Sequence, residues 1–207
     1  KGVCRYTSSA NNHTDWVSNV RFLGRSTTKG SFANSFFAST GWDGRLKIWN
    51  NQSFEIKDSF KAHDGNINAI TTSPKGTYIV TGGKDKKVKV WDFNDCNKPV
   101  AEFDAGSCVT SLAFNPKTSW VAIGTENGVK VWDFEAKENQ LLCEANYPHE
   151  VAATVKADEK GEKKRKDVTY HQCTSIQWNA IGTRLFAGWT DGVIKVYDTQ
   201  VDTVSSK

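Results

Sequence analysis

The stretch GGKDKKVKVWD, Gly82 to Asp92, places a tight turn and four lysines directly before a tryptophan. Strand alternation puts Val88 and Val90 on one face and Lys87, Lys89 and Trp91 on the other. Nearly the same phrase returns as GWDGRLKIWN (Gly41 to Asn50), GTENGVKVWD (Gly124 to Asp133) and GWTDGVIKVYD (Gly188 to Asp198). One copy would be a strand behind a turn. Four copies in order make a structural unit.

Aligned on their last aromatic residue, the phrases fall at Trp49, Trp91, Trp132 and Tyr197, with spacings of 42, 41 and 65. A period near 40 residues is that of a four-stranded propeller blade. Each unit also carries two earlier strand patterns. The first is WVSNVRF (Trp16 to Phe22), NINAITT (Asn66 to Thr72), CVTSLAF (Cys108 to Phe114) and CTSIQW (Cys173 to Trp178). The second is SFFAS, TYIVT, WVAIG and RLFAG, ending at Ser39, Thr81, Gly124 and Gly188. Period-two alternation between turn signals predicts an all-β chain of antiparallel hairpins. Blades pressed between neighbours cover both strand faces, so the lysine stems are expected to lie on apolar surface with their charges in water at the rim.

The rest of the composition fits a packed chain. Of 207 residues 38% are hydrophobic, 12% are aromatic and eight are tryptophan, which excludes a disordered chain. A net charge of +4 is too diffuse for a dedicated nucleic-acid binder. No apolar run approaches membrane-spanning length, and no secretory leader is visible. Five scattered cysteines without paired spacing predict reduced thiols, with neither disulfides nor a metal site. The sequence lacks methionine, so Lys1 is expected not to be a natural start and the chain to be part of a longer one.

Two units bring together residues that look catalytic. His13, Ser39, Asp43 and Trp49 recur at matching offsets as His63, Thr81, Asp85 and Trp91. Histidine, hydroxyl and carboxylate suggest a nucleophile, a base and its orienter. Two copies point instead to structure, since a buried indole N–H needs an acceptor. The hydroxyl can accept it while donating to histidine, which then reaches the carboxylate. In the third and fourth units the histidine positions read Ala105 and Thr169, and the hydroxyl positions read Ala122 and Ala187. Glu126 stands for the acid of the third unit, and this half is expected to rely on packing. No catalytic, cofactor-binding or metal motif appears. Trp42 and Trp189 beside their turns, with Arg45, Lys84 and Lys86, form a candidate protein-binding rim.

The pattern of His, Ser or Thr, Asp and Trp-Asp resembles WD-repeat proteins. GVCRYT (Gly2 to Thr7), HTDWVSNVRF, SPKGTYIVTGGKDKKVKVWD, FNPKTSW and LFAGWTDGVIKVYD resemble more narrowly the receptors for activated C-kinase. That family is a seven-bladed propeller, and the resemblance covers its fourth to seventh blades. It divides the chain into an outer strand of a preceding blade (1–7), units at 8–56, 57–98 and 99–148, a charged insertion (149–170), and an incomplete unit with a tail (171–207). It implies a non-enzymatic cytoplasmic scaffold that docks on ribosomal proteins and rRNA of the small subunit, mainly through its first blades, and recruits protein kinase C-type kinases. The kinase-docking segment corresponds to Gly128 to Phe134, with Lys130 and Trp132. Another WD-repeat interaction protein, a G-protein beta-like subunit or a ubiquitin-ligase substrate receptor, is the alternative reading. An arc of four blades also leaves apolar faces at its ends, so self-association of the chain is expected.

The insertion His149 to Tyr170 is densely charged and aperiodic, which predicts an exposed loop. Limited trypsin digestion is expected to cut first among Lys160, Lys163, Lys164 and Arg165. Early cleavage inside the repeats, with this segment intact, would overturn that expectation.

Overall fold

The computed structural model describes residues 2–4, 6–8, 11–23, 36–136, 141–146 (backbone only) and 171–198. They form four antiparallel sheets in chain order. The first comprises β1 (Val17–Leu23), β2 (Phe36–Gly41), β3 (Arg45–Asn50) and β4 (Ile56–Lys61). The second comprises β5 (Ile67–Thr72), β6 (Tyr78–Gly83), β7 (Lys87–Asp92) and β8 (Ala101–Asp104). β9 (Val109–Phe114), β10 (Trp120–Thr125), β11 (Gly128–Asp133) and β12 (Leu141–Asn146) make the third. β13 (Cys173–Trp178), β14 (Arg184–Trp189) and β15 (Ile194–Asp198) make the fourth.

The sheets divide the chain differently from the sequence phrases. β4 pairs with β3, although a boundary at 56/57 assigns it to the second unit, and β8 pairs with β7 across the boundary at 98/99. Unit and sheet are therefore out of phase: a unit that ends at its Trp-Asp phrase leaves the outer strand of its sheet, IKDSFK or AEFD, to open the next unit. Residues 2–4 and 6–8 carry no strand, contrary to the outer strand expected over 1–7. A strand there has no described neighbour to satisfy its backbone, and Tyr6 instead stacks on Phe54 with ring centroids 4.7 Å apart. The charged insertion and the residues after 198 lie outside the described residues.

The innermost strands pack in series, β1 on β5, β5 on β9 and β9 on β13. Each carries a bulge at its extra residue, Ser18, Asn68, Thr110 or Thr174. Polar side chains at or beside these bulges stitch one sheet to the next. Asn19 Nδ2–H donates to Asn68 O and Asn68 Nδ2–H to Val109 O, both at 2.9 Å, and Thr110 Oγ1–H donates to Cys173 O.

The core lies between the sheets. β7 shows why its phrase ends in tryptophan. Val88 and Val90 face the third sheet, packing with Val109, Ile123 and Trp132, whereas Trp91 faces the first, with Leu46 and Ile48. Each indole meets a ring of the preceding outer strand, Trp91 against Phe60 at 4.9 Å and Trp132 against Phe103 at 5.2 Å. The lysine charges do not all reach water as expected. Lys89 Nζ donates to Ala62 O at 2.8 Å. Lys47, only 4% exposed, donates to the carbonyls of Asn11 and Asn12. Burial lowers the pKa of this ammonium, against the opposing charge of Asp43. Each lysine thus ties its third strand to the loop entering the same sheet.

The two end sheets are less covered. On β1, Val17, Val20 and Phe22 are exposed, as are Phe186, Ile194 and Val196 on β14 and β15. Trp49 borders a cavity of about 310 Å³ lined also by Tyr6, Val17, Val20 and Phe37. Apolar faces of this kind associate in water. The 207-residue chain is therefore expected to self-associate, with light scattering across a dilution series showing a mass that rises with concentration. A monomer at every concentration would overturn this.

Candidate functional site

The four-residue sets of the first two units are assembled as hydrogen-bonded chains. Trp49 Nε1–H donates to Ser39 Oγ at 2.8 Å, Ser39 Oγ–H to His13 Nε2 at 2.9 Å, and His13 Nδ1–H to Asp43 at 3.0 Å. In the second unit Trp91 Nε1–H donates to Thr81 Oγ1 at 2.9 Å, Thr81 to His63 Nε2 at 2.8 Å, and His63 Nδ1–H to Asp85 at 2.9 Å. The carboxylate can only accept, which puts the proton of a neutral imidazole on Nδ1 and leaves Nε2 to accept from the hydroxyl, while the hydroxyl oxygen accepts the indole N–H. Each carboxylate then accepts two backbone amides: those of Thr14 and Arg45 for Asp43, and those of Asp64 and Lys87 for Asp85. Burial pushes the Asp85 carboxyl upward, but the hydrogen bonds from His63 and from these amides outweigh it and bring the pKa down to about 2. Asp43 is lowered too, burial again being outweighed by the amides and His13.

Serine, imidazole and carboxylate in line are the parts of a nucleophile relay. Here the hydroxyl oxygen already holds an indole proton, and Thr81 and His63 are sealed from solvent. His13 and Ser39 border the cavity of the first sheet, yet Ser39 is bonded on both sides in the same way. The sets hold loop, turn and strand together. The buried thiols are no more reactive, since burial raises Cys96, aided by the Asp58 charge, and Cys173 each to about 11. Among the described residues no three His, Cys, Asp or Glu side chains converge on a metal site.

In the third unit the register corrects the sequence alignment. Thr81 pairs with Lys89 and Ile123 pairs with Lys130, so Ile123, not Ala122, occupies the hydroxyl position. The shift arises because two residues, Glu126 and Asn127, join β10 to β11, whereas three join β6 to β7. Counting back from Trp132 without a gap misplaced everything before the turn. With Ile123 there, Trp132 Nε1–H is buried without a hydrogen-bond partner among the described residues. Thr125 takes the place of Gly83, and its Oγ1 accepts Gly128 N–H at 3.0 Å, doing the turn-bracing work of the lost carboxylate. The glycine is required where the histidine–aspartate pair is present. A Cβ on Gly83 would sit 2.9 Å from Asp85 Oδ1 and 3.0 Å from His63 Nδ1, and one on Gly41 would sit 2.7 Å from both Asp43 Oδ1 and His13 Nδ1. The fourth unit places Trp189 at this same position. It is only 5% exposed and packs in the core, so it is not the rim aromatic that the sequence suggested. Thr169 lies outside the described residues.

The remaining binding candidates separate cleanly. Trp132 is fully buried and its strand is paired on both sides, so it offers no docking surface; Lys130 is half-buried on that strand. Arg45 is half-buried, and its guanidinium donates to Ser59 O at 3.1 Å. Trp42, Lys84 and Lys86 do reach the surface. One surface residue was missed: Trp16, 70% exposed, which stacks on Trp42 with centroids 4.7 Å apart. The signal was its place in HTDWV, one residue before the first strand, where the second unit has asparagine.

Replacing His63 by alanine leaves Thr81 and Asp85 without their buried partner, a loss of about 1–3 kcal/mol. The His63→Ala melting temperature is expected to fall by several degrees; an unchanged midpoint would overturn this role. The folded pKa of Asp85, about 2, lies below its ordinary 3.8, so its stabilisation is complete above that ordinary value and fades as pH falls towards 2. Asp85→Asn is expected to lose this part of the pH dependence in melts across that window.

The WD domain, G-beta repeat family matches residues 2–50, 54–92 and 97–133. Small ribosomal subunit protein RACK1 of Drosophila melanogaster is 33% identical over 198 residues, which are 96% of this chain and 56% of the relative. The chain therefore spans little more than half the length of this curated relative. Four consecutive antiparallel sheets, the repeated Trp-hydroxyl-His-Asp chains and the family match lead to one assignment: the chain belongs to the WD-repeat family.

Proposed function

We propose that this chain is part of a non-enzymatic scaffold, cytoplasmic and associated with the small ribosomal subunit, that gathers kinases and other signalling or translation factors. The observation that carries the reading is the 33% identity to small ribosomal subunit protein RACK1 along 96% of the chain. The physical character of the repeats supports it. Their hydrogen-bonding groups are used inward, on tetrads and on inter-sheet bonds, while the turns between second and third strands vary from sheet to sheet at the surface. Such a frame presents different side chains at fixed positions, which is what a scaffold needs. In this reading ribosomal proteins and rRNA, together with protein kinase C-type kinases, are the partners, and the kinases engage surface turns because β11 is closed to them.

The test follows the endogenous protein through a sucrose gradient of cell extract with an antibody raised against the chain. Co-migration with small subunits, and return to the soluble fractions when the subunits are stripped by high salt, is the expected result. Soluble protein at low salt in extracts with intact subunits would overturn the proposal.

A further inference from the structure

Four turns reach one surface by the same backbone device and differ in what they display there. Trp42 N–H donates to Trp16 O at 2.8 Å, Lys84 N–H to Asn66 O at 2.8 Å, Glu126 N–H to Cys108 O at 3.2 Å, and Thr190 N–H to Gln172 O at 3.0 Å. These bonds define four equivalent residue pairs. Three contain polar or small residues, and the first is a pair of tryptophans stacked on each other, 70% and 38% exposed. Backbone geometry explains the placement of both rings but not their size. Nothing in the fold requires indoles where asparagine and lysine serve the next unit.

The adjoining turn carries a second anomaly. Lys86 has φ +68°, the left-handed region that disfavours a side chain. The same position is Gly44 in the first unit, φ +72°, and Gly192 in the fourth, φ +81°. A lysine is thus held where glycine would sit without strain, and strain of this kind collects at functional sites. Lys84 and Lys86 are both exposed and without an ion-pair partner among the described residues, because Asp85 between them is engaged by His63 and two amides. Asp64 is already paired with Lys61 at 2.9 Å. The two turns are continuous: a Cβ on Gly44 would meet Gly65 O at 3.0 Å, and Gly65 lies against the Lys84 side chain.

We propose that Trp16, Trp42, Lys84 and Lys86 form a docking surface for an acidic peptide segment that carries an aromatic or proline side chain. The exposed indole face takes the flat apolar group, and the two ammonium groups take carboxylates a turn away. Stacking rings and lysines also suit single-stranded nucleic acid. Asp15, exposed beside Trp16, argues against a continuous phosphate backbone, whereas a peptide can place its carboxylates selectively. The proposal rests on the chain acting as an interaction module and is independent of ribosome attachment.

The test is fluorescence anisotropy with the 207-residue chain and four labelled probes. They are a short Asp/Glu peptide around a central Pro-Phe pair, the same peptide with lysine replacing its acids, the same with alanine replacing Pro-Phe, and oligouridine. The acidic Pro-Phe peptide is expected to bind best, and Trp16→Ala or Lys84→Ala to weaken it about tenfold. Lys86→Gly separates binding from folding: it should raise the melting temperature while weakening the peptide. Best binding by the lysine peptide or by oligouridine, indifference to Pro-Phe, or full affinity in Lys86→Gly would each overturn the proposal. Ribosome co-migration can fail without changing these affinities, and the converse also holds.

Discussion

His63 is sealed from solvent, and each of its ring nitrogens must be matched by a group of the opposite hydrogen-bonding sense. Asp85 accepts from one and Thr81 donates to the other; the carboxylate, which can only accept, sets this sense, and the Thr81 oxygen also accepts the Trp91 indole proton. The three strand and loop segments that supply these groups are distant in sequence and become one rigid corner. Asp85 then braces its own turn through the amides of Asp64 and Lys87. Lys89 ties the third strand to the carbonyl just before the histidine. Turn, entry loop and strand are thus fixed from two directions, and the surface positions of Lys84 and Lys86 follow from that fixity.

Where this corner is missing, the chain reaches the same backbone path by other means. Thr125 braces its turn with a hydroxyl in place of a carboxylate, and Trp189 fills the equivalent place in the fourth sheet with apolar bulk. The third sheet keeps one cost of the exchange, a buried indole N–H without a partner among the described residues, beside Ile123. Its stability comes from the cluster that joins Val88, Val109 and Phe134 around Trp132.

The sheet content and both complete tetrads were legible in the sequence because they rest on spacing, and spacing survives folding. The errors came where spacing changes. A single missing residue in the turn at Glu126 and Asn127 moved the apparent hydroxyl position from Ile123 to Ala122. In the fourth unit, Trp189 follows a glycine just as Trp42 does, yet the two stand one position apart in the blade, one buried and one at the surface. Outer strands such as AEFD are short and lack a shared motif, so their blade was set by pairing alone. The stack of Trp16 on Trp42 joins two loops far apart in sequence, and no local pattern announces it.

The close approach of Gly83 to the His63 ring imposes an order on sequence change. While the tetrad is in place, a side chain at the glycine would crowd Asp85 Oδ1 at 2.9 Å and both His63 Nδ1 and Asn66 O at 3.0 Å, so the glycine cannot be altered first. Where the histidine is absent, residues as different as Thr125 and Trp189 stand at the equivalent position. In the second unit a Cβ at that position would lie 3.0 Å from the imidazole Nδ1, so a filled position stands in the way of the ring. Restoring the histidine by itself would bury a ring against an occupied site, which makes the loss a ratchet. A WD unit that has given up its tetrad and filled the gap is committed to the packed form unless both positions revert together.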